Sequence, residues 1–201
     1  MLFLSQIMPH EYYICVLDFE ATCWPEERND QIREIIEFPS ILYKVDYKNK
    51  IHYISEFAEY VRPVINPNLS KYCTELTGIE QHQVDGARVL KDVYKDHCKW
   101  LVENVPIGSK FTFVTVGKWD LDIMLPIEAH RYGIKLNNYY RKWIDLKDEF
   151  RHFYGRTAGG MMNMLSKLNI KHKGRHHSGI SDCRNTAEIV LRMISDGHIF
   201  L

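Results

Sequence analysis

No stretch of this 201-residue sequence approaches the ~18 consecutive apolar residues that cross a membrane, and Met1 to Tyr13 lacks the basic opening and apolar length of a secretion signal. Those absences predict an intracellular protein without membrane contact, cytoplasmic with the nucleus as the alternative. Cysteines number only five (Cys15, Cys23, Cys73, Cys98, Cys183), scattered and with no C-x-x-C pair. An odd, dispersed set excludes a disulfide framework and a Cys-rich zinc site, so they read as reduced packing thiols. No repeat, low-complexity linker or heptad run is present, which removes collagen-like, coiled-coil and disordered classes. An excess of charge of one sign is missing too: Lys plus Arg is 26 and Asp plus Glu is 26. With 45% hydrophobic residues the chain can build a sizeable core, and its length predicts one domain over 1–201.

The neutral total conceals an asymmetry. Residues 1–130 hold 20 acidic and 13 basic residues, whereas residues 131–175 hold 11 basic and 3 acidic. The basic segment is either a phosphate-facing surface or a solvated face. Four histidines (His152, His172, His176, His177) fall in or beside it, but no Cys or His pair at ligand spacing accompanies them, so a structural zinc site is not expected.

Tyr12 to Leu17 is a short β-rich apolar run, as in a strand buried on both faces. After a polar loop from Pro25 to Asp30, Ile35 to Val45 reads as a second strand interrupted at Pro39, and Ile51 to Val61 as a third, giving an antiparallel meander. A short helix is expected within 66–78, ending at Gly78, and another over Val89 to Val102. Phe111 to Val116 is a fourth strand closed by Gly117; helices follow at Leu121 to Tyr132, Lys147 to Phe153, Met161 to Leu168 and Asp182 to Ser195. This order predicts a mixed sheet flanked by helices in one α/β domain.

Asp18 and Glu20 stand two residues apart at the end of the first strand and so project to one side. Two carboxylates that close repel unless a cation or proton sits between them. An isolated pair of this kind is ordinarily a strand end in solvent; recurrence changes the reading. Trp119-Asp120 follows another apolar strand, and Asp182 opens a helix shortly after His177. Four acids on three elements at strand ends suit hard divalent cations, two of which, roughly 3.5–4 Å apart, would clamp a phosphodiester in line. His177, five residues before Asp182 with Gly179 between, can overhang the same site and take a proton from an attacking water.

Asp18-Phe19-Glu20-Ala21-Thr22, Trp119-Asp120 and His177-x-Gly-x-x-Asp182 resemble the three motifs of the DEDDh 3′-to-5′ exonucleases, of the ribonuclease H-like fold. Glu34-Ile35-Ile36-Glu37-Phe38-Pro39, Tyr60-Val61-Arg62-Pro63, Leu76-Thr77-Gly78-Ile79 and Gly117-Lys118-Trp119-Asp120 narrow the resemblance to the Eri-type exoribonucleases, over about Tyr12 to Asp196. The resemblance implies that Asp18, Glu20, Asp120 and Asp182 hold two Mg²⁺ or Mn²⁺ ions. His177 would be the general base, with Glu20 also catalytic. It further implies contacts to the substrate from Ala21, Thr22, Tyr72, Leu76, Thr77 and Trp119, with Tyr72 and Trp119 as aromatic walls and Leu76 as a wedge against the terminal base.

Packing is the alternative for Leu76, Tyr72 and Trp119. Lys118 stands where relatives usually carry a small or acidic residue, Ser181 replaces the first of a common Asp pair, and Asp122 competes with Asp120 for the second-motif position. The leading expectation is a metal-dependent exonuclease acting on RNA 3′ ends and releasing nucleoside 5′-monophosphates. A catalytically inactive module gripping 3′ ends, or an exonuclease acting on DNA, are the alternatives.

Overall fold

Residues 11–26 and 31–200 are described by a computed structural model of the chain; Met1–His10, and residues 27–30 of the expected Pro25 to Asp30 loop, lie outside them. At the centre is β1 (Tyr12–Leu17), every residue of which is buried, as its unbroken apolar run requires. One edge of β1 pairs parallel with β5 (Lys110–Thr115) and the other antiparallel with β3 (Ile35–Val45). β3 carries β4 (Ile51–Tyr60) on its far edge, completing the meander. β2 (Glu20–Ala21) continues the line of β1 alongside β3, and β6 (Trp143–Asp145) adds in parallel to β5. The mixed sheet therefore runs β4-β3-β1-β5-β6. Neither β2 nor β6 is foreseen by the sequence, because two- and three-residue pairings leave no local pattern.

β3 passes unbroken through Pro39, where the sequence suggests an interruption. The last pair between β1 and β3, Leu17↔Ser40, stops one residue short of it, so Pro39 removes no bond to β1. Alternation along β1 then divides the core. Tyr13, Cys15 and Leu17 face α3 (Leu90–Asn104). Tyr12, Ile14 and Val16 face α5 (Leu146–Tyr154), α6 (Met161–Lys167) and α7 (Gly179–Ser195). Ile14 is wholly buried, so truncating it to Ala would cost about 2–5 kcal/mol.

α1 (Lys71–Thr77) begins where Ser70 Oγ accepts from Cys73 N and ends at Gly78, whose φ of 78° is the left-handed cap that the Thr-Gly pair predicts. It is followed by the unforeseen α2 (Gln81–Asp85). The helix expected over Leu121 to Tyr132 is two elements. A π-helical turn, Trp119–Met124, precedes α4 (Leu125–Arg131), whose Pro126 sits in the first turn, where no N–H is needed.

Candidate active site

Gly117 ends the run out of β5 with φ of 93°, and Asp145 Oδ1 accepts its N–H at 2.9 Å. That reversal launches the π turn, and the widened turn delivers Asp120, buried, back over the end of β1. Asp120 Oδ1 accepts the N–H of Phe19 at 2.8 Å, which fixes it between the backbones of Asp18 and Glu20. The fourth acid, Asp182, comes from the first turn of α7 and is also buried. Its Oδ2 accepts the N–H of His177 at 2.8 Å. His177 itself has φ of 64°, a conformation that costs a non-glycine residue energy and here turns the chain into α7. Glu20, His177 and Asp182 present potential ligand atoms all within 4.8 Å of one another.

The start of α7 is held by a fifth carboxylate that the sequence reading did not single out. Glu37, buried within β3, accepts from Gly179 N at 2.9 Å and Ile180 N at 3.2 Å, so its charge meets the positive end of the helix. A β-carbon on Gly179 would stand 2.8 Å from Pro39 Cγ and 3.0 Å from Asp18 O, so only glycine lets α7 approach β1 this closely. The signal that could have found Glu37 is its place inside the apolar run Ile35-Ile36-Glu37-Phe38: an acid there is buried and must be answered.

Crowding dominates the electrostatics. Burial, and then repulsion from Asp120, Glu20, Asp182 and Glu37, pushes the Asp18 carboxyl well above the usual carboxylate range. Burial, followed by Glu37, Asp182 and Asp120, raises Glu20 to about 8. Asp120 rises to about 7 by burial, opposed by the hydrogen bond from Phe19 N. Among the described residues no Lys or Arg forms an ion pair with any of these four acids. Asp182 Oδ1 is buried without a hydrogen-bond partner. An all-oxygen set left unneutralised, with an orphaned carboxylate oxygen, fits hard divalent cations. His177 moves the other way: burial, and then the neighbouring His176, lowers it, leaving the imidazole neutral at physiological pH.

Asp122 does not join the group. It is exposed, facing a surface hollow lined also by Pro126, His130, Lys135 and Arg141. Lys118 is exposed as well. α1 borders the acids, because Ala21 O accepts from Cys73 Sγ at 3.7 Å and Ser70 Oγ donates to Cys23 O at 2.6 Å. On it Tyr72 is exposed and Leu76 half-buried; Trp119 is half-buried against the α3-side core. The hydroxyls of two other expected substrate residues are committed inside the fold. Thr22 Oγ1 accepts from Glu34 N, while Thr77 Oγ1 donates to Cys73 O and accepts from Ile79 N. The main-chain N–H of Thr22 is engaged as well, donating to Glu34 O at 2.8 Å.

Members of the basic segment are likewise engaged. Lys173 pairs with Glu188 at 2.9 Å, Arg151 pairs with Asp148 at 2.9 Å, and the Arg175 guanidinium donates to Glu75 O, bracing α1. Lys135 and Arg141 line the hollow beside Leu121 of the π turn.

The profile of the Exonuclease family (RNase_T) matches residues 15–190. The chain is 40% identical over 196 residues to ERI1 exoribonuclease 3 of Mus musculus, covering 96% of this chain and 57% of the relative. It is 36% identical over 189 residues to 3′-5′ exoribonuclease 1 of Rattus norvegicus, covering 92% and 54%. The chain thus spans about half the length of these curated relatives. Among solved structures, the nuclease domain of 3′hExo, a DEDDh family member, bound to rAMP, superposes with a TM-score of 0.85 at 36% identity, covering 92% of each chain.

Proposed function

The chain belongs to the Exonuclease family, with the DEDDh nuclease fold, and from that premise we propose that it is a metal-dependent 3′-to-5′ exonuclease of RNA, its nuclease domain spanning about residues 12–196. The observation that carries the reading is the convergence of Asp18, Glu20, Asp120 and Asp182, crowded enough to raise Asp18, Glu20 and Asp120 above the usual carboxylate range. The four acids would hold Mg²⁺ or Mn²⁺, two ions per site. Bound cations would supply the charge neutralisation and water activation that phosphodiester hydrolysis needs.

The chain's own residues do the rest. His177, kept neutral and held over Glu20 by its strained backbone, accepts the proton of the attacking water. Glu20, on β2, orients that water beside it. Tyr72, Leu76 and Trp119 confine the terminal base, with main-chain groups of Ala21, Thr22 and Thr77 alongside; stacking of this sort accepts any base. The upstream backbone runs past Lys135 and Arg141 rather than Lys173 and Arg175, which the fold already uses. Each phosphate contact should contribute a log–log salt slope of about −0.7.

Matched RNA and DNA oligonucleotides labelled at either end, incubated with Mg²⁺ or EDTA, test the reading. A 5′-labelled RNA should shorten in single-nucleotide steps, and a 3′-labelled one should release labelled 5′-monophosphate at once. Internal cuts, or no Mg²⁺-dependent product at all, would contradict it. Equal rates on DNA would widen the substrate class.

A further inference from the structure

Two histidines that the hydrolytic reading leaves unused converge on Asp182 beside His177, whose ring stacks on that of His176. His172 Nε2 lies 3.6 Å from Asp182 Oδ1, and His176 Nδ1 lies 2.9 Å from Asp182 Oδ2. Their potential ligand atoms all fall within 4.8 Å of one another. We infer that His172, His176 and Asp182 form a second cation site, selective for a nitrogen-preferring divalent ion, Zn²⁺ above all, which competes with the catalytic cations for Asp182.

Distances favour that ion. Zn–N and Zn–O bonds of about 2.0–2.2 Å at tetrahedral angles place neighbouring donor atoms roughly 3.3 Å apart. The two separations, one to each oxygen of Asp182, lie either side of this value. His172 Nε2 and Asp182 Oδ1 are both buried without a hydrogen-bond partner, two unanswered groups facing one another. Donor chemistry then discriminates: imidazole nitrogens suit Zn²⁺ and later transition metals, whereas Mg²⁺ demands oxygen.

The loop that carries the histidines is held ready. Gly174, with φ of 80°, reverses the chain between them. Asn185 of α7, buried, clamps the loop by accepting from Lys173 N at 2.9 Å and donating to Lys173 O at 2.8 Å. On its other flank Arg175 is tied to the end of α1. Pre-placed donors spare a binding ion the ordering cost that a loose loop would exact.

Competition follows from geometry, because an ion held by His172, His176 and one Asp182 oxygen draws that carboxylate out of the cluster with Asp18, Glu20 and Asp120. Only this consequence rests on the exonuclease reading; the binding itself does not, and it is measured without substrate. Metal-stripped protein would be titrated with ZnCl₂ against a chromogenic chelator in millimolar Mg²⁺, using wild type, His176→Asn, the double variant His172→Asn/His176→Asn, and Asp18→Asn. One Zn²⁺ should bind wild type. Affinity should fall about tenfold or more in His176→Asn, whose exposed position tolerates the change, and on the order of 100-fold in the double variant. Asp18→Asn should bind Zn²⁺ at least as tightly as wild type, since it weakens the competing site. Co²⁺ in place of Zn²⁺ should give the intense visible absorption of a tetrahedral site, lost with the histidines. Undiminished Zn²⁺ affinity in both histidine variants would overturn the inference. So would loss of binding in Asp18→Asn alone, which would place the ion among the catalytic acids.

Discussion

Two polar clusters are buried in this fold and they have opposite characters. Around His97 every demand is met. Its Nδ1 meets the Tyr140 hydroxyl and its Nε2 lies 2.9 Å from Ser40 Oγ. The rings of Phe38 and Phe113 stack on it. Burial pushes the imidazole down to about 3, so it stays neutral through the physiological range. At the ends of β1 and β5, by contrast, Asp18, Glu20, Asp120 and Asp182 share one space among like charges. Satisfied burial rigidifies a core; unsatisfied burial of one sign of charge stores a demand that a cation or a proton answers.

The largest way to break the comparison is to relieve the second cluster. Asp18→Asn should lower RNA hydrolysis by roughly 10⁴-fold or more, because several kcal/mol of charge stabilisation at the scissile phosphate is lost. In EDTA its unfolding midpoint should equal or exceed that of wild type, since repulsion is removed. Near-normal hydrolysis in a Mg²⁺ assay would place the chemistry elsewhere. His177→Ala should come next, lowering kcat by about 10²–10⁴-fold with KM little changed and flattening the acidic limb of the pH–rate profile. An unaltered profile would make His177 a purely structural turn residue.

Breaking the first cluster should have the reverse signature. His97→Leu takes the partner from the Tyr140 hydroxyl and from Ser40 Oγ, at about 1–3 kcal/mol for each buried group left unpaired, so denaturant unfolding should report a loss of about 2–6 kcal/mol. Hydrolysis per folded molecule should hardly move.

Glu128 sharpens the contrast with the smallest effect. It is a buried acid with one good donor, Ile35 N at 2.8 Å, and burial, with Glu34 nearby, raises it to about 8. Because its folded value lies above its unfolded one, the folded chain holds this proton more tightly. The stability it contributes is complete below the unfolded value of about 4.3 and is lost as pH rises towards 8. Glu128→Gln stays neutral throughout, so its stability relative to wild type should climb between about pH 5 and 8 and be flat below that. A pH-independent difference would mean that the carboxylate is already ionised in the fold.

How far the sequence foretold these regions follows from the range of the interactions involved. β1 was legible because six contiguous apolar residues can only be buried, and α1 because Gly78 stops it. The four acids were legible through the spacing of their motifs, each of which is local. The π turn was not: Leu121 to Met124 have ordinary helical character, and the wider turn accompanies the placement of Asp120 against Phe19 N, 101 residues away. Nor was the meeting of His172 and His176 with Asp182, which depends on the Asn185 clamp. Glu37 lay in plain view, an acid in an apolar strand, but its partners Gly179 and Ile180 are about 140 residues distant.

The most direct measurement is the unfolding midpoint of the metal-stripped protein against Mg²⁺ concentration at pH 7.5, for wild type and for Asp18→Asn/Asp120→Asn. If the four acids are a cradle for divalent cations, the wild-type midpoint climbs with the logarithm of Mg²⁺ once binding saturates, while the double variant stays level. A wild-type midpoint unmoved by millimolar Mg²⁺, or an equal rise in the double variant, would contradict the account.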